Sequence, residues 1–65
     1  MHHFDIEIGR SLANGSWGYR LYDCGADYSR YEEWATRYGF KSEDAAHRAA
    51  CKLLDKEFGK GNWTF

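Results

Sequence analysis

Most of the fold follows from two stretches of sequence, WGYRLY at residues 17–22 and GFKSEDAAHRAACKLLDKEF at residues 39–58. In the first, large apolar residues alternate with small or polar ones, which is typical of a β-strand with one buried face. In the second, Ser42 precedes two acidic residues and an alanine-rich run, which is the pattern of a capped amphipathic helix. Together they predict a small α+β domain in which a hairpin precedes a helix.

The first two strands are predicted to form an antiparallel hairpin. Apolar and acidic residues alternate near residues 3–9, and the second strand is expected near residues 16–23. The turn between them contains Asn14-Gly15, and both residues tolerate positive φ. Residues 23–27 are expected to form the next turn.

Residues 29–40 fit two different structures. Ser29 stands three residues before Glu32, which is a capping-box pattern, and aromatic residues follow at helical spacing. Alternating aromatic and β-branched residues from Trp34 to Phe40 instead suit a strand. Because a lone two-stranded hairpin is rarely stable, we favour the strand.

The helix is expected near residues 43–58, with an apolar stripe on one side and Gly59 just beyond its end. In the tail, residues 59–65, two aromatic residues alternate with polar ones, which fits either a short edge strand or packing of the tail under the helix. The expected fold is a single α+β domain over residues 1–65. It is a three-stranded antiparallel sheet with one C-terminal helix packed on one face (βββα), and a short C-terminal edge strand is one of the two alternatives for the tail.

Composition argues against several classes of protein. A chain of 65 residues has a small core, and an aromatic content of 18% partly compensates for it. No apolar run approaches the roughly 18 residues that a membrane span needs, and the first residues lack the basic-then-apolar layout that is typical of a secretion signal. Cys24 and Cys51 fit no zinc pattern. We therefore expect a cytoplasmic protein with free thiols; a disulfide between the two cysteines is the less favoured alternative.

No motif indicates catalysis, a metal or a cofactor. The serines have no base at motif spacing. His2 and His3 lie at a chain end that is expected to fray, and His47 borders the helix stripe, so no metal site is predicted. So short a chain also has little room for a ligand pocket of roughly 300 Å³ or more. The sequence predicts a non-enzyme.

Alternation along the strands assigns side chains to the two faces of the sheet. The face under the helix is expected to hold Phe4, Ile6, Ile8, Trp17, Tyr19, Leu21, Trp34 and Tyr38. Trp17 is expected to be a core anchor. The opposite face is expected to hold Asp5, Glu7, Arg20, Tyr22, Tyr31, Glu33 and Arg37. The neighbouring turn adds Asp23, Asp27 and Tyr28 to this acidic surface.

Parts of the chain resemble a known domain. Residues 15–23, GSWGYRLYD, and residues 39–46, GFKSEDAA, are similar to the three-strand-plus-helix, AP2-like domain at the start of phage and transposon tyrosine integrases. The resemblance spans about residues 3–58. It implies the βββα fold and a sheet face that lies in the major groove of DNA.

The residues themselves favour a protein partner over DNA. A phosphate-binding surface needs a cationic excess, whereas the predicted face has three acids against two bases. Tyrosines and carboxylates suit a partner with a basic surface. We therefore expect a protein-binding inhibitor or modulator, monomeric or weakly dimeric, that resembles phage anti-CRISPR proteins in general character and acts in a bacterial host. Its predicted partner-binding residues are Asp5, Glu7, Arg20, Tyr22, Asp23, Asp27, Tyr28, Tyr31 and Glu33.

Two alternatives stay open. One is a nucleic-acid-binding accessory domain whose helix lysines contact the backbone of DNA or double-stranded RNA. Its groove-reading residues would be Arg10, Arg20, Arg30 and Arg37. The other is an ordinary solvated surface without a partner.

Overall fold

The computed structural model describes all 65 residues and confirms the predicted α+β fold. Three strands come first: β1 (His2–Arg10), β2 (Trp17–Gly25) and β3 (Glu32–Phe40). They are followed by the helix α1 (Glu43–Phe58) and the short strand β4 (Trp63–Thr64). The helix has the expected bounds, whereas β2 ends later and β3 begins later than the sequence suggested.

The strands form one sheet in the order β3-β2-β1-β4. The pairs β1–β2 and β2–β3 are antiparallel, and β4 pairs in parallel with the start of β1. A third long strand therefore supports the first hairpin, as the energetic argument required, and residues 29–40 contain no helix.

The helix begins and ends at the residues that its sequence predicts. The Ser42 hydroxyl accepts a hydrogen bond from the backbone N–H of Ala45 at 3.1 Å, which satisfies one of the free donors of the first turn. Gly59, at a φ of 94°, ends the helix and donates its N–H to the carbonyl of Asp55 at 3.0 Å. The Trp63 indole donates to the Asp55 carboxylate at 2.9 Å and so ties β4 to the helix. The helix is too short and too polar to cross a membrane.

The core lies between α1 and one face of the sheet. Its buried members are Phe4, Tyr19, Leu21, Ala50 and Leu54. Small alanines on the helix allow a close approach to the sheet. Around Phe4, the rings of Trp34 and Phe58 lie with centroids between 4.9 and 5.6 Å apart, in tilted or edge-on arrangements that aromatic rings prefer.

A β-bulge at Trp34 interrupts the alternation of β3. Leu21 pairs with Ala35, but the next residue of β2, Tyr22, pairs with Glu33, so Trp34 is the extra residue. Trp34 and Ala35 therefore both pack against the core beneath the helix. Just beyond the bulge, each side chain of β3 therefore lies on the face of the sheet opposite to the one that strict alternation predicts.

A second irregularity lies at Gly39, which has a φ of 111° and falls between the pairs Gly18–Tyr38 and Trp17–Phe40. It returns Phe40 to the core side of the sheet. Tyr38 lies on the open face, with its ring against Gly18. Arg37 lies on the helix side, where its guanidinium is 5.3 Å from the Phe40 ring centroid. The predicted faces of Tyr38 and Arg37 are therefore wrong, because strict alternation cannot allow for bulges.

Trp17 is not the central anchor that the sequence suggested. It is half-buried and lies outside the core cluster, at the end of the sheet. The Arg10 guanidinium is 5.1 Å from its ring centroid, so the indole is covered by a cation rather than by the helix.

Both cysteines are free thiols, with Cys24 buried and Cys51 half-buried. Burial, together with the negative charge of Asp55, raises the pKa of the Cys51 thiol. This thiol is therefore protonated and weakly nucleophilic at neutral pH.

Candidate protein-binding surface

The face of the sheet opposite α1 carries tyrosines and carboxylates, and we call it the tyrosine–carboxylate face. All three long strands contribute to it, together with the loop before β3. Its members are Asp5, Glu7, Arg20, Tyr22, Tyr31, Glu33 and Tyr38. Six of these were assigned to this face from the sequence, and Tyr38 replaces Arg37.

A stacked pair of tyrosines stands at one end of this face. The rings of Tyr22 and Tyr31 have centroids 4.5 Å apart and are inclined by 15°. The Tyr22 hydroxyl donates to Glu7 Oε1 at 2.9 Å, and the Tyr31 hydroxyl donates to Asp5 Oδ2 at 2.6 Å. Stacking and hydrogen bonding together hold both rings in place without burying them.

The bond to Asp5 also fixes the charge state of Tyr31. As the acceptor, the carboxylate stabilises the neutral phenol and raises the pKa of Tyr31 to about 12. The phenol therefore keeps its proton, and continues to donate, beyond the pH at which an ordinary tyrosine ionises.

Arg20 lies between two of the carboxylates. Its Nη1 is 3.8 Å from Glu7 Oε1, and its Nε is 3.5 Å from Glu33 Oε1. All three side chains are well exposed, so these ion pairs contribute little to stability. With three carboxylates against one guanidinium, the face is negative, and more so than the sequence predicted because Arg37 lies on the other side.

Asp23 does not belong to this exposed surface. Its carboxylate is only 15% exposed and accepts hydrogen bonds from His2 Nε2 at 2.6 Å, from the Gly25 N–H at 2.8 Å and from Arg30. Burial acts to raise the pKa of Asp23, but these bonds outweigh it and the pKa lies below its usual value. Asp23 therefore joins strands and loop and is poorly placed to attract a partner.

The first histidines are also part of this structure. His2 lies in β1 and its ring is within 4.9 Å of the rings of both Phe4 and Phe58. The ring of His3 lies 4.1 Å from that of Tyr28. The expected fraying of His2 and His3 is thus wrong, since strand pairing and ring contacts order both.

Asp27 and Tyr28 lie in the loop between β2 and β3, beside the face. Asp27 accepts the Ser29 N–H at 3.1 Å, and the hydrogen bonds from Ser29 lower the pKa of Asp27. Tyr28 is 66% exposed and has a φ of 59°, which is rare for a residue with a side chain. Both residues shape the loop.

The arginines proposed to read a nucleic-acid groove do not converge. Arg10 covers Trp17, Arg30 pairs with Asp23, Arg37 lies on the helix side and Arg20 is held between carboxylates. Such a dispersed set provides no continuous cationic surface for phosphates.

An open depression with a volume of about 380 Å³ lies on the tyrosine–carboxylate face. It is lined by Glu7, Ile8, Gly9, Arg20 and Tyr38. The sequence contained one signal for it, a pair of strand glycines, but the signal has meaning only once the register places Gly9 opposite Gly18.

No known protein family, curated protein or solved structure matched this chain. The resemblance to integrase domains and to anti-CRISPR proteins therefore stays a prediction, and the arguments for function rest on the surface itself.

Proposed function

We propose that this protein is a small non-enzymatic inhibitor that binds another protein through its tyrosine–carboxylate face. The observation that carries the proposal is the stacked Tyr22–Tyr31 pair, whose hydroxyls are bonded to Glu7 and Asp5 on an exposed, negatively charged sheet. Tyr31 is 58% exposed and Tyr22 is half-buried. Tyrosines that are already held in one arrangement lose little conformational entropy when a partner covers them.

The charge of the face favours a basic partner. Three carboxylates and one guanidinium attract a cationic surface and repel a phosphate backbone. Cationic protein surfaces of this kind often bind nucleic acid. We therefore propose that the protein covers a nucleic-acid-binding surface of a bacterial host complex, as an anti-CRISPR protein of a phage or mobile element does, in the host cytoplasm.

The proposal is tested with purified RNA-guided DNA-targeting complexes from several bacterial types. The measurement is binding of each complex to its duplex target, by mobility shift, with increasing amounts of this protein. We expect at least one complex to lose target binding. If every complex binds its target unchanged, the inhibitor proposal fails.

Matched charge reversals then locate the binding surface. Glu7→Lys reverses a charge on the tyrosine–carboxylate face, and Glu57→Lys makes the same change on the exposed side of the helix. We expect Glu7→Lys to slow association with the complex, whereas Glu57→Lys leaves the rate nearly unchanged. Tyr31→Ala should raise the dissociation rate about tenfold or more, because buried rings anchor an assembled interface.

The nucleic-acid alternative predicts the opposite pattern. If the face bound duplex DNA, the unmodified protein would bind DNA at physiological salt, Glu7→Lys would strengthen that binding, and added salt would weaken it steeply. Those three results together would replace the inhibitor proposal with the accessory-domain function.

A further inference from the structure

Gly9 occupies a strand position where the fold gives no reason for glycine. It lies in the uninterrupted part of the β1–β2 pairing, opposite Gly18, and its φ is not positive. A Cβ placed on Gly9 would meet nothing within 4 Å. Glycine within a strand lowers stability relative to alanine because it loses more conformational freedom on folding, so folding alone would favour a larger residue here.

Gly18, directly opposite, is explained by packing. A Cβ at this position would overlap the ring of Tyr38 and the backbone carbonyl of Arg37. Tyr38 therefore covers one glycine of the pair and leaves the other bare. The open depression lies at Gly9, and Tyr38 and Glu7 are among the residues that line it. Strand glycines without a structural reason often mark places where a ligand approaches the backbone closely.

One carboxylate and one guanidinium, Glu7 and Arg20, line the depression, and one oxygen of that carboxylate has no partner within the chain. Glu7 Oε1 accepts the Tyr22 hydroxyl and lies near Arg20, whereas Glu7 Oε2 makes no hydrogen bond or ion pair within the chain. Both oxygens of Asp5 and of Glu33 already have partners. Glu7 Oε2 is thus the one free carboxylate oxygen on the face. Tyr38 is 42% exposed and lines the same depression as Glu7.

We propose that the depression at Gly9 receives an arginine side chain of the partner protein. The guanidinium would stack on the Tyr38 ring and donate to Glu7 Oε2, while the bare Gly9 backbone gives it room. Arginine fits better than lysine, because its planar group can stack and donate at once. This inference rests on the proposed function and specifies the chemistry of the partner.

The test uses a defined probe, the capped tripeptide Gly-Arg-Gly, titrated into the full-length protein while its amide signals are followed by NMR. The neutral control is the same peptide with citrulline, which keeps the shape of arginine and lacks its charge. We expect saturable shifts centred on Gly9, Gly18 and Tyr38 with the arginine peptide, and at least a tenfold weaker response with citrulline.

Gly9→Val is the decisive variant, because it places a branched side chain in the depression, its Cβ would meet nothing within 4 Å, and valine suits a strand. We expect its melting temperature to be equal to or above that of the unmodified protein, and its response to the arginine peptide to be lost. Glu7→Gln should weaken the response, and Glu57→Gln should not. Absent saturation, an equal citrulline response, or undiminished arginine binding by a folded Gly9→Val protein would each overturn the inference.

The experiments can reject either proposal without rejecting the other. Arginine binding at Gly9 without inhibition of any targeting complex would support this site and reject the inhibitor function. Inhibition that survives Gly9→Val would keep the function and reject this site.

Discussion

The two faces of the sheet use the same residue type in opposite ways. Under the helix, Tyr19 is 3% exposed and belongs to the core, where its ring is held by packing alone. On the other face, Tyr22 and Tyr31 are held by each other and by hydrogen bonds to carboxylates, and no element covers them. Packing fixes the first tyrosine at the cost of access, whereas polar contacts fix the other two and leave them accessible. How a tyrosine is held therefore depends on whether another element covers its face of the sheet, and the composition of the strand alone does not show this.

Adjacent residues of β2 give the sharpest comparison of the faces. Leu21 is fully buried beneath the helix, and Leu21→Ala should lower the free energy of unfolding by about 2–5 kcal/mol. Tyr22→Ala, one residue along, should lower it by only about 1 kcal/mol, since it removes a stacked pair at the surface. Urea unfolding of both variants measures the difference. Equal losses would mean that the tyrosine–carboxylate face is part of the structural core.

Asp23 provides an intermediate case, because it is an acid on the buried side. Asp23→Asn should lower the free energy of unfolding by about 1–3 kcal/mol, since His2 and Arg30 lose a charged acceptor. Asp27→Asn is the control: an exposed loop acid whose amide replacement can still accept the Ser29 N–H. Urea unfolding at neutral pH compares the two variants, and an equal effect would place Asp23 among the surface acids.

The same carboxylate gives a pH dependence with a defined sign. Its pKa is lower in the folded protein than in the unfolded chain. Its contribution to stability is therefore complete above the unfolded value of about 3.9. The contribution is lost as the pH falls through the lower folded value. Stability of the Asp23→Asn variant should consequently fall less on acidification than that of the unmodified protein.

The smallest expected effect concerns a hydrogen bond on the tyrosine–carboxylate face. One of the five tyrosines, Tyr31, should ionise only near pH 12 in an ultraviolet absorbance titration. Its folded pKa is raised, so the hydrogen bond to Asp5 contributes fully below the unfolded value of about 10 and is lost as the pH rises through 12. Asp5→Asn should return this pKa toward 10, and Asp44→Asn on the helix should not. An unchanged titration in Asp5→Asn would mean that the bond is not formed in solution.

A structural feature could be predicted from the sequence where residues close in the chain determine it, and could not where pairing with another strand determines it. Alternation in β1 and β2, and the cap and apolar stripe of α1, are local patterns, and they gave the correct fold and most of the correct faces. Bulges depend on pairing with another strand, so Arg37 and Tyr38 were placed on the wrong sides. Gly39 was the only local hint, and its positive φ is equally compatible with a helix end.

The same distinction between local patterns and cross-strand pairing applies to the candidate site. Alternation alone placed the acids of β1 together with Arg20 and Tyr22. Asp23 was assigned to the turn at residues 23–27, whereas β2 continues through Gly25 and the Asp23 carboxylate is hydrogen-bonded to His2. The depression at Gly9 could not be recognised from the sequence, because it depends on the pairing of Gly9 with Gly18 on the next strand.

The parallel pairing of β4 with β1 has a mechanical consequence. The first and last strands lie side by side and run in the same direction, joined by the pairs His2–Trp63 and His3–Thr64. A pull on the two chain ends would draw β1 and β4 in opposite directions along their axes, so the bonds between them would be loaded together, in shear. With only two residue pairs, this seam would slip at low force, while the antiparallel strands behind it remained intact.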